Sequence, residues 1–120
     1  MDNIRIKRVY DEVAPGDGIR ILVDRLWPRG LSKERARIDF WDKELAPSTE
    51  LRHWFGHDPA KWGEFRKRYF EELNQAESAI LALKPYLSKG PCVLLYAAHD
   101  ELHNNAVALL EYLKEKKLDA

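Results

Sequence analysis

Between the Ser88-Lys89-Gly90-Pro91 loop and the polar string His99-Asp100-Glu101 lies Cys92-Val93-Leu94-Leu95-Tyr96-Ala97-Ala98, seven residues without a charge. A strand sends alternate side chains to opposite faces, so a run apolar at every position must be covered on both. It predicts a central strand with helices on each side. That restricts the chain to an α/β fold with a small, mainly parallel sheet flanked by helices and a tendency to three layers. One hundred and twenty residues are enough for one such core, and a single α/β domain over residues 1–120 is expected.

The other elements follow from periodicity and punctuation. Ile4, Ile6 and Val9 interleave with Arg5, Lys7 and Arg8, a first strand with one solvated face. Ile19 to Leu26 reads as a second, buried strand. The turn-rich link from Asp11 to Gly18, about eight residues, is shorter than the usual parallel crossover and favours a hairpin or an edge strand. Ser32 is placed to cap a short helical turn. Ile38 to Ala46 is amphipathic, with Phe40, Trp41 and Leu45 as anchors. Ser48 caps a helix that ends at Gly56. Asp58-Pro59 opens a further helix, since proline at the first helical position gives up no hydrogen bond. The stripe Trp62, Phe65, Tyr69, Leu73, Ala76, Ile80 and Leu83 predicts that this helix runs on to the region of Pro85, its aromatic rings packing into the core. A last helix carries Ala106, Leu109, Leu110 and Leu113 inward.

Chemistry concentrates where two strands end. The stretch Val23-Asp24-Arg25-Leu26-Trp27-Pro28-Arg29-Gly30 breaks from apolar to charged, and the central run gives way to His99-Asp100-Glu101-Leu102-His103-Asn104-Asn105. If the two strands are parallel neighbours, both corners share the rim at which open α/β sheets bind ligands. The expected ligand-binding residues are Arg25, Trp27, Arg29, Asn104 and Asn105. The arginines would clamp an anion bidentately, Asp24 would orient them, and the asparagines stand beside a helix N-terminus. The bland alternative has Asp100 or Asn104 capping that helix and Asp24 paired with an arginine.

Other chemistries are weaker. The histidines form two pairs at four-residue spacing, His53 with His57 and His99 with His103, but neither pair is followed by a third ligand, and no metal site is assigned. The sequence leaves the cofactor, if any, unknown. Cys92 begins an apolar strand, at the end away from the polar loop, and reads as an inert core thiol. With a single cysteine no intrachain disulfide can form. No apolar run reaches membrane-spanning length and the first residues are charged, so a soluble cytoplasmic protein without membrane association is expected. Twenty basic residues balance twenty acidic ones, which leaves no global field to recruit nucleic acid.

Several of these strings carry a resemblance. Lys7-Arg8-Val9-Tyr10-Asp11, Asp24 to Gly30, Trp41-Asp42-Lys43-Glu44, Glu50-Leu51-Arg52 and Leu94-Leu95-Tyr96 leading to Asn104 identify the chain as resembling the YeaO-like branch of the domain of unknown function 488 family, over nearly its whole length. The resemblance implies a family and no particular reaction. A sister branch bears a cysteine–histidine–arginine loop after its last strand. The matching loop here, Ala97 to Asn105, has neither cysteine nor arginine, so thiol chemistry of that kind is not implied. Where His99 and Asn105 stand, the branch typically has a lysine and a histidine.

Three functions are therefore in play. The first is a binding domain for a small anion, a phosphate or nucleotide. The second is a hydrolase or transferase on a phosphate-bearing ligand, with Asp24 or Asp100 as base and His99 as proton shuttle. The third is a nucleic-acid contact through the Arg25 to Arg37 cluster with Trp27 as stacking surface, which the neutral net charge disfavours. Composition and spacing say nothing of oligomeric state.

Overall fold

A computed structural model describes residues 3–118. Its four strands are β1 (Ile4–Arg8), β2 (Ile19–Leu22), β3 (Phe40–Trp41) and β4 (Cys92–Tyr96), ordered β1-β4-β2-β3 with every pair parallel. The apolar run is central as its composition requires: all five residues of β4 are buried, and it pairs with β1 on one side and β2 on the other. The helices are α1 (Lys33–Ala36), α2 (Thr49–Phe55), α3 (Trp62–Asn74), α4 (Glu77–Leu87) and α5 (Asn105–Glu115).

The two faces of the sheet are covered unequally. Ile4, Ile21, Val23, Cys92, Leu94 and Tyr96 join the main core with side chains of α2 to α5. Val9, Leu22, Val93 and Leu95 point the other way, beneath Trp27, Leu31, Ile38 and Trp41. That second layer is made of connecting chain, and its one helix, α1, is a single turn capped by the Ser32 hydroxyl.

β1 is an edge strand, but no hairpin joins it to β2. The ten residues Val9 to Gly18 carry the chain past β4 to a parallel start, with only a 3-10 turn, Pro15–Asp17, on the way. What holds so short a link is a buried charge cluster. Asp17 accepts from Lys7 Nζ at 3.1 Å and from Arg20 at 2.5 Å, and the Arg20 guanidinium also donates to the Ala36 carbonyl. Burial, the largest single effect, pushes the Asp17 carboxyl up, but the hydrogen bond from the Ala14 amide and then the Lys7 and Arg20 cations hold it below its usual range.

Three expectations need correction. The second strand ends at Leu22 rather than Leu26; Val23 is still bonded to Leu95, but Leu26 stands in solvent. The Ile38 to Ala46 segment splits into the edge strand β3 and a 3-10 turn, Lys43–Leu45, because Ile21 and Leu22 offer Phe40 and Trp41 a strand partner. The long helix breaks at Gln75-Ala76 into α3 and α4. A straight helix from Pro59 to Tyr86 would run about 40 Å, beyond the molecule's longest dimension of 35 Å. Nor does Pro85 end it: the proline lies inside α4, and the residue whose carbonyl it leaves unbonded, Leu81, is exposed.

Candidate functional site

The parallel pairing of β2 with β4 puts both polar corners at one rim. Between them and the end of α2 opens a cleft of about 900 Å³. Asp24, Arg25, Trp27, Arg29, His99, Asp100, Asn104 and Asn105 all line it, so the cleft gathers the residues that the sequence singled out.

Their individual roles are less uniform than their common address. Asp24 is the keystone of the rim. Its carboxylate accepts from the Ala97 amide at 2.9 Å and from the Asn105 side-chain amide at 3.0 Å, joining the ends of β2 and β4 to the start of α5. Among the described residues it makes no hydrogen bond or ion pair with Arg25 or Arg29. Desolvation raises the Asp24 pKa, and the Asn105 and Ala97 hydrogen bonds and the charge of Arg52 offset part of that rise. Arg25 turns aside, donating to the carbonyls of Ala46 (3.1 Å) and Pro47 (3.3 Å). Trp27 is packed edge-on against Trp41 with centroids 5.5 Å apart, and its indole N–H donates to the Leu31 carbonyl. The Trp41 indole in turn donates to the Asp24 carbonyl at 2.7 Å, and the Tyr10 hydroxyl to the Arg29 carbonyl at 2.8 Å. Two indoles and a phenol thus brace the corner, while the Arg29 guanidinium is exposed and unpaired among the described residues.

At the other corner the asparagines are engaged. Asn104 caps α5, accepting from the Val107 amide, and donates to the Asp100 carbonyl; Asn105 also donates to the Val23 carbonyl at 3.0 Å. Asp100 accepts from the Leu102 and His103 amides and meets His103 Nδ1 at 2.9 Å. These bonds, that of Leu102 foremost, pull its pKa down. The carboxylate–imidazole pair of the cleft is therefore Asp100–His103, whose ring stands edge-on to Trp62 at 5.3 Å. His99 is exposed with no partner among the described residues.

The sequence reading left out the contribution of α2. Arg52, His53 and His57 reach the cleft from its last turn and the residue after Gly56. The Arg52 side chain is half-buried and its guanidinium has no hydrogen bond or ion pair among the described residues, though its charge acts on Asp24. His57 follows Gly56 in the left-handed region, with φ of 57°, a conformation that L side chains adopt at a cost and that clusters at binding sites. The signal was the spacing His53-x-x-x-His57 around a helix-ending glycine, which turns the second imidazole toward the rim instead of along the helix.

Among the described residues no three His, Cys, Asp or Glu side chains are grouped so as to hold a metal ion, and no helix is long and apolar enough to cross a membrane. Cys92 is buried at the far end of β4, and burial pushes its thiol pKa up. The rest of the Arg25 to Arg37 cluster disperses, with Arg35 and Arg37 bordering a separate shallow depression beside Pro15.

Comparison with known proteins gives a family without a described activity. Residues 3–120 match a family model described as the inactive DUF488-N3 subclade. The chain is 46% identical over 112 residues to the uncharacterised protein YeaO of Escherichia coli K12, covering 93% of this chain and 97% of that one. It is 37% identical over 110 residues to the uncharacterised protein Rv3073c of Mycobacterium tuberculosis H37Rv, covering 92% of each. No solved structure matches it.

Proposed function

The chain belongs to the DUF488 family, in the branch that contains YeaO and is described as the inactive DUF488-N3 subclade, and from that premise we propose that it binds a small anion, a phosphate or a nucleotide, in the cleft at the carboxyl ends of its central strands. The observation that carries this reading is the imbalance of charge. Three arginines border the cleft against two aspartates, with four histidines as further hydrogen-bonding groups, and both carboxylates already have partners, Asp24 the amides and the nearby charge of Arg52, Asp100 its own loop. Arg29 and Arg52 are left to meet an anion, and a guanidinium fork suits phosphate geometry. The strained His57 supports the same reading, since a costly conformation is kept where a side chain is needed.

Catalysis is the weaker alternative. His99 has no carboxylate partner, and the word inactive in the family's description favours binding over turnover. A nucleic-acid contact is weaker still: Trp27 is packed on Trp41 rather than offered for stacking, and Arg25 is spent on backbone carbonyls. A cytoplasmic setting accords with a lone, buried cysteine.

The test is thermal unfolding at fixed ionic strength with phosphate, adenosine 5′-monophosphate or chloride. A ligand at one hundred times its dissociation constant adds about 2.7 kcal/mol, a rise of roughly 10 °C for a chain this size. We expect a rise with phosphate or the nucleotide that Arg29→Ala abolishes without lowering the unliganded midpoint; Arg52→Ala should abolish it too, with a lower starting midpoint because its charge also offsets the desolvation of Asp24. His57→Gly should weaken the rise while leaving the unliganded protein as stable or more so, because glycine relieves the left-handed strain. A midpoint that neither anion moves would refute the site.

A further inference from the structure

Resting on the anion-site reading, we propose that the cleft takes a phosphate ester with a sizeable apolar or aromatic body, and that Leu26 is one of the surfaces recognising that body. The size of the cleft is the first reason. Its volume of about 900 Å³ is near the top of the range for sites of drug-sized molecules, about 300–1,000 Å³, whereas a free phosphate fills the space of only a few waters at about 30 Å³ each. Its chemistry is the second. Leu26, Pro28 and Phe55 line it together with Arg29 and Arg52, the mixture of apolar wall and few charged groups that organic ligands require.

The third reason is where this protein displays apolar surface. Five large hydrophobic side chains are exposed among the described residues, and two of them, Leu26 and Tyr10, border this cleft. A third, Leu102, lies in the loop between the lining residues Asp100 and His103. Leu26 is 62% exposed, four residues beyond Leu22, the fully buried last residue of β2. An apolar side chain held in water beside guanidinium groups does nothing for the fold; a ligand with both an anionic end and an apolar body would cover it while pairing the arginines.

Calorimetric titration of the whole chain at fixed ionic strength tests this with four probes: inorganic phosphate, phenyl phosphate, adenosine 5′-monophosphate and uncharged adenosine. We expect phenyl phosphate or the nucleotide to bind at least tenfold more tightly than inorganic phosphate. Leu26→Ser, at an exposed position, should cut that advantage severalfold with phosphate affinity and thermal midpoint unchanged, and Arg29→Ala should weaken every anion alike. Equal affinity for phosphate and its esters, or an advantage that Leu26→Ser leaves intact, overturns this inference while the anion site stands. Adenosine binding as tightly as its monophosphate, or no anion binding at all, overturns the anion site and this inference with it.

Discussion

Asp42 is the residue whose surroundings disagree most with its chemistry. It is 5% exposed, and one carboxylate oxygen is buried without a hydrogen-bond partner. Desolvation, with a smaller push from the Glu44 charge, raises its pKa to about 6. The unfolded chain titrates near 3.9, so between about pH 4 and pH 6 the folded state holds a proton that the unfolded state has lost. Stability must therefore fall as pH rises through that window, and above it the ionised carboxylate is a standing cost. Asp42→Asn should accordingly be more stable than the parent above pH 7, by about 1–3 kcal/mol, and the gap should close toward pH 4. Urea denaturation of both proteins from pH 4 to pH 8 measures it; a gap that does not change with pH would mean that Asp42 is not buried as an acid. Asp24 differs in kind: its carboxylate is also desolvated, but each oxygen has a partner, and it holds the rim together.

At the scale of elements, the decisive joint is the short link from β1 to β2. Gly18 lies at its end with φ of 71°, and a Cβ there would overlap the Pro91 carbonyl, which itself accepts the Ile19 amide at 3.0 Å. The backbones of two strand starts approach so closely that only glycine fits. Gly18→Ala therefore combines left-handed strain with a clash against backbone and should cost about 3 kcal/mol or more, read as a lowered urea midpoint with unchanged slope. Gly30→Ala is the control: it shares the positive φ but has open space around it, and should cost only the strain, about 1 kcal/mol. Equal losses at the two positions would remove the Pro91 contact from the account. The break between α3 and α4 is another joint of this kind, since it lets one apolar stripe keep facing the sheet after the chain has turned.

For the molecule as a whole, β4 is the common wall. Its alternate residues belong to both cores, Cys92, Leu94 and Tyr96 on one face, Val93 and Leu95 on the other. Neither layer can be peeled away without exposing the same strand. We expect one cooperative unfolding transition, with tryptophan fluorescence and far-ultraviolet circular dichroism tracing the same curve. In a Trp54→Phe, Trp62→Phe background, which removes the two tryptophans of the helical layer, Trp27 and Trp41 report the thin layer of connecting chain, and the circular dichroism reports mainly α2 to α5. Fluorescence loss ahead of the loss of helix would mean that the thin layer opens independently.

What the amino-acid sequence determined by itself is whatever depends on near neighbours. The apolar run of β4, the caps Ser32, Ser48 and Asp58 and the stop at Gly56 were legible because periodicity and capping act within a few residues, whereas the cap of α5 was left between Asp100 and Asn104 and falls to Asn104. So was the meeting of the two polar corners, because parallel strands deliver their carboxyl ends to one rim. Tertiary structure alone decided where each polar group spends its hydrogen bonds. Asp24 could have paired with arginine, but Asn105 and the Ala97 amide reach it first; Arg25 is claimed by Ala46 and Pro47; and Arg52 and His57 arrive from a helix distant in sequence. The same holds for the short parallel link and the broken helix. Both are set by distances across the packed sheet, to which residue spacing along the chain gives no access.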